Sequence, residues 1–114
     1  MTREDFIENG IDYDAAMKMF MGKQEILQKF LAKFPKDASY SQLKEAVAAK
    51  DCEAAFKAAH TLKGVAGNLS LADLSKVAAD ITEQFRAGNL EGGCAYIDEL
   101  DRQYERAIDF IGKL

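Results

Sequence analysis

A chain of 114 residues has room for one domain with its own hydrophobic core and little space for a second. With 48% hydrophobic and 30% charged residues it is too apolar for a disordered chain, and a formal net charge of −4 argues against a nucleic-acid binder, which depends on a basic surface. No apolar run approaches the roughly 18 residues that span a bilayer, and the start Met1-Thr2-Arg3-Glu4-Asp5 lacks the basic-then-apolar order of a signal peptide, so the expectation is a cytoplasmic protein without membrane contact.

One proline, no tryptophan and an abundance of Ala, Leu, Lys, Glu and Gln favour helices. Asp12 is placed to cap a short first helix through about Phe20, with Gly22 ending it. Ile26, Leu27, Phe30, Leu31 and Phe34 then recur at helical spacing until Pro35 stops them. Ser39 with Gln42 reads as a capping box for a helix in which Leu43, Ala46 and Val47 share a face. Asp51 caps the next helix, Cys52 to about Gly67, whose inward stripe is Ala55, Ala59, Leu62, Ala66 and Leu69.

Ser70 with Asp73 reads as a second capping box, opening a helix striped by Leu74, Val77, Ala78, Ile81 and Phe85 until Gly88. A long last helix is expected from Leu90 to Ile111, with Cys94, Ile97, Leu100, Tyr104, Ala107, Ile108 and Ile111 along one seam and Gly92 and Gly93 weakening its first turn. Cys52 and Cys94 form no CxxC pair, so neither a zinc site nor a redox motif is indicated. Helices joined by short connections imply an all-α fold: an antiparallel up-and-down four-helix bundle with additional short helices, residues 1–114 making a single domain.

The only histidine, His60, is the most informative residue. At about 100° per residue it lies roughly 200° from Leu62, a centre of the inward stripe, so its ring should face water. Its own face carries Glu53, Phe56, Lys57, Lys63, Gly64 and Gly67. A glycine inside a helix costs about 1 kcal/mol relative to alanine. Gly64, one turn beyond His60, would let a partner's backbone approach the imidazole. Gly67 either extends that bare strip or, with Asn68, ends the helix. Lys63 could reach an oxygen of a phosphoryl group on the ring, or be a solvated surface lysine. Phe56 is a docking contact or tucks against the core edge, and Lys57 could attract an acidic partner. A hydrolase would need a converging nucleophile, base and orienter, and one histidine with scattered carboxylates is no metal site, so no metal is expected.

The segment Ala59-His60-Thr61-Leu62-Lys63-Gly64, continuing Val65-Ala66-Gly67-Asn68-Leu69, resembles the phosphorylation-site segment of histidine-containing phosphotransfer (HPt) domains. The resemblance extends less sharply over most of the chain, through the helix start at Asp51, the Leu71 to Leu74 opening and a long final helix. It implies that His60 is the phosphoacceptor, Lys63 the phosphate-facing cation and Gly64 the clearance position. It further implies a phosphorelay carrier without kinase activity, taking phosphate from one receiver (response regulator) domain and passing it to another, with a hybrid sensor histidine kinase as a further candidate partner. No cofactor of its own is implied; the Mg²⁺ belongs to the receiver. A monomer is the simpler expectation. Some family members support the imidazole with a glutamine on the next helix, where ungapped counting here finds Thr82, and whether Thr82 or nearby Gln84 substitutes stays open. The rival reading is the same bundle as a phosphorylation-independent interaction module, with His60 incidental.

Overall fold

A computed structural model describes residues 1–114. They form eight α-helices and no strand: α1 (Arg3–Glu8), α2 (Tyr13–Met19), α3 (Gln24–Leu31), α4 (Ser39–Ala48), α5 (Cys52–Asn68), α6 (Ala72–Arg86), α7 (Leu90–Cys94) and α8 (Ile97–Gly112), with a 3-10 turn at Phe34–Lys36. None is long and apolar enough to cross a membrane.

The four longest helices, α4, α5, α6 and α8, make the bundle. α5 packs on α4 and α6, and α6 packs in turn on α8. Directions follow from specific pairs. The Ser75 hydroxyl of α6 donates to the Lys63 carbonyl near the end of α5, while the Cys52 thiol at the start of α5 contacts the Phe85 carbonyl near the end of α6, so the two run antiparallel. α8 runs antiparallel to α6, Arg106 meeting Asp73 at 3.1 Å, and to α4, where Lys44 meets Asp101 and Tyr40 stacks on Tyr104. The stripes of α5 and α6 read from the sequence are all buried, and with Leu27, Leu31, Leu43, Leu100 and Phe110 they belong to one continuous core.

Several local expectations are corrected. Ser39 and Gln42 form no capping box: Ala38 occupies the cap position without a side-chain bond, and the Asp37 carboxylate accepts from the Ser39 N–H at 2.9 Å. Ser70 caps nothing either. It stands at φ +57° as the left-handed residue that terminates α5, closed by the Leu71 N–H donating to the Ala66 carbonyl. The cap position of α6 falls to Leu71, and the free Asp73 N–H is met instead by the Gly10 carbonyl. The last helix is broken, with Ala95 and Tyr96 separating α7 from α8. Gly93 is the packing glycine there, since a Cβ on it would stand 2.2 Å from the Phe85 ring. Phe30, expected inward, is exposed beside Phe20 under the Lys33 ammonium.

Helix α1 was not anticipated. Its signal is Thr2-x-x-Asp5, a reciprocal capping box in which Thr2 accepts from the Asp5 N–H and Asp5 from the Thr2 N–H. Phe6 of α1 is fully buried between Tyr13 and Phe110.

Candidate functional site

α5 presents the site. Asp51 caps it through the Ala54 N–H at 3.1 Å, and its alanines at 55, 58, 59 and 66 are buried, letting α4 and α6 approach closely. With Leu62 fixed in the core, the helical period turns His60 outward, and its imidazole is exposed as expected.

The nearest ring to His60 is Phe56, one turn earlier, with centroids 5.9 Å apart and planes inclined by 25°. Phe56 is half-buried: its ring packs against the core edge, as one of the two readings has it, and is partly open to solvent. Over that ring lies the Arg86 guanidinium of α6, 4.9 Å from the centroid. Lys57 is exposed and paired with Glu53 at 3.6 Å, whereas Lys63, half-buried, pairs with no carboxylate. The cation one turn from the imidazole is therefore available to an incoming anion, and Lys57 less so.

Gly64 is helical and open: a Cβ built on it would meet nothing within 4 Å. Packing inside this chain does not require glycine there. Gly67 and Asn68 are the last two residues of α5, as one reading of them expects, and a Cβ on Gly67 would touch only the Ser75 hydroxyl at 3.4 Å. Both glycines, with Lys63, border an open groove whose other walls are Ser75 and Ala79 of α6 and Asp12 at the start of α2. No cluster of three or more His, Cys, Asp and Glu side chains suited to a metal ion is present.

Thr82 and Gln84 do not reach the imidazole. Thr82 is 0% exposed, and its hydroxyl donates to the Ala78 carbonyl one turn back at 2.7 Å, so as a docking residue it is corrected. The Gln84 side chain is committed to the turn after α6, where its amide oxygen accepts from Asn89 at 3.1 Å. Sequence reasoning missed Arg86 and Ser75. The signal was present: in an antiparallel hairpin, residues equidistant from the turn near Leu69 come abreast, which pairs Lys63 with Ser75 and carries Arg86 to the level of Cys52, one turn before Phe56, from where its long side chain reaches the Phe56 ring.

In comparisons with known proteins, the family model described as the Hpt domain matches residues 25–110. No curated protein and no solved structure matches the chain.

Proposed function

Because the chain belongs to the Hpt domain family, whose members carry phosphate on histidine in two-component phosphorelays, we propose that His60 accepts a phosphoryl group from a receiver-domain aspartyl phosphate and returns it to another receiver. The observation that carries this reading is the exposed imidazole at the middle of α5, with an unpaired cation and an unobstructed glycine one turn away. A neutral imidazole is a competent nucleophile near neutral pH. Its free nitrogen attacks phosphorus as the bond to the aspartyl oxygen breaks, so a phosphoramidate forms and the carboxylate of the receiver is released. Lys63 lies where its ammonium can meet the oxygens of the arriving group.

The phosphoryl group changes hands without ATP, so the protein is a carrier rather than a kinase. The Mg²⁺ that phosphoryl transfer calls for is assigned to the receiver, which supplies counter-charge to the phosphate oxygens. Residues 1–114 act as one unit in this reading, monomeric and cytoplasmic, engaging receivers in turn.

The test is exchange with a labelled, phosphorylated receiver. Label should move to this protein as an acid-labile adduct, and His60→Gln should abolish transfer while leaving the helical circular dichroism unchanged. Acid-stable label, or undiminished transfer by the variant, would overturn the assignment and leave a phosphorylation-independent interaction module.

A further inference from the structure

An exposed side chain on a helix ordinarily moves among its staggered rotamers. In-line attack on phosphorus tolerates little of that motion, since misplacement by about 1 Å can cost roughly a hundredfold in rate. Something must hold the His60 ring. The hydrogen-bonding residues of α6 named above are engaged elsewhere, Thr82 with Ala78 and Gln84 with Asn89.

The ring does have a platform. Phe56 stacks on it at 5.9 Å, and Phe56 is itself restrained: it packs against the core, and it borders a depression shared with Cys52 and Phe85. The Arg86 guanidinium lies over the Phe56 ring and is steadied by Glu83 at 3.4 Å. A guanidinium over an aromatic ring is attracted by the ring quadrupole. The stack therefore ties the outward face of α5 to the last turn of α6.

We propose that Phe56, pinned by Arg86, positions the His60 imidazole for attack, a role played here by stacking and not by a hydrogen bond from α6. Phe56 is a positioning residue and Arg86 acts through it. The proposal rests on the phosphocarrier reading and adds to it the device that aims the nucleophile.

The test uses two phosphodonors, phosphoramidate, which needs no docking, and a phosphorylated receiver. Phe56→Leu keeps apolar bulk at the core edge and removes the ring; Phe56→Tyr keeps the ring. With the receiver, Phe56→Leu should lower the maximal transfer rate about tenfold and leave KM within about twofold, and it should slow labelling by phosphoramidate to a similar degree. Phe56→Tyr should restore both rates. Arg86→Met, a change at an exposed position, should give a smaller loss of about threefold in the same two rates. In NMR spectra the His60 ring protons should lose their ring-current shift in Phe56→Leu and keep it in Phe56→Tyr.

A raised KM with unchanged maximal rate and unchanged phosphoramidate labelling would make Phe56 a docking contact and overturn the positioning role. So would a wild-type rate in Phe56→Leu with both donors. Wild-type protein that takes no label from either donor would overturn the phosphocarrier reading itself, and the positioning role with it.

Discussion

Gly64 stands in a regular helix at a cost in propensity, and no neighbour within 4 Å of a would-be Cβ explains it. Gly93 is the opposite case, a residue that no side chain could replace without displacing Phe85. The contrast sets the expectation for substitution at position 64. Gly64→Ala should raise unfolding stability by up to about 1 kcal/mol, since the site is helical and unobstructed. Gly64→Gln should fold equally well and yet transfer phosphate at least about tenfold more slowly, because the added side chain occupies the approach to the imidazole. Thermal melts and transfer rates on the same preparations check both halves. A glutamine variant with undiminished transfer would remove the clearance role.

Helices α4 and α8 are stapled by a small polar network at their contact. The Tyr40 hydroxyl and Lys44 ammonium both donate to Asp101, at 2.5 and 2.7 Å, and Tyr40 stacks on Tyr104 at 3.7 Å. Burial alone would push the Asp101 carboxyl up, but the bonds from Lys44 and Tyr40 outweigh it and hold it below the usual range. With a depressed value in the folded state, the unfolded chain binds the proton more readily, so this stabilisation is present above about pH 4 and lost as pH falls further. Tyr40 is raised by burial and by the Asp101 bond, so its contribution is present below about pH 10 and lost above it. Asp101→Asn should cost about 1–2 kcal/mol at pH 7, and the difference from wild type should shrink at pH 3; urea unfolding at the two pH values measures it. The helices themselves were legible because the stripes of α5 and α6 repeat over four turns, and that same periodicity placed His60 outward. Helix ends were less so. A serine before a helix reads as a cap, yet Ser70 closes the preceding helix in a left-handed conformation, its carbonyl accepting from the distant Asp12 N–H. Thr82 was ambiguous for a related reason: counting along α6 gives its position but not whether its hydroxyl turns back to Ala78 or outward to the site.

The first two helices, wholly outside residues 25–110, close one end of the bundle. Phe6 is 0% exposed against Tyr13 and Phe110, the Arg106 guanidinium donates to the Glu8 carbonyl, and the Asp12 N–H donates to the Ser70 carbonyl at 2.9 Å. Phe6→Ala should therefore cost about 3–5 kcal/mol, read as a lower urea midpoint, although it lies outside the matched family segment. Charge is segregated as well. Residues 1–17 hold one basic and five acidic residues, residues 18–88 eleven basic and eight acidic, and residues 89–114 three basic and six acidic, so both terminal segments are net negative and the middle segment that carries α5 is net positive. His60 is the ninth of the 17 residues of α5, about 12 Å from either terminus along the axis. The partial charges at helix ends act only within the first and last turns. An anion bonded at mid-helix thus gains nothing from the backbone field that so often anchors phosphate at helix N-termini, and a single lysine is a weak tether in its place. On the proposed reading, a phosphoryl group on His60 would be held by its P–N bond with little added stabilisation from the surrounding backbone, which keeps the energy of that bond available for the next acceptor.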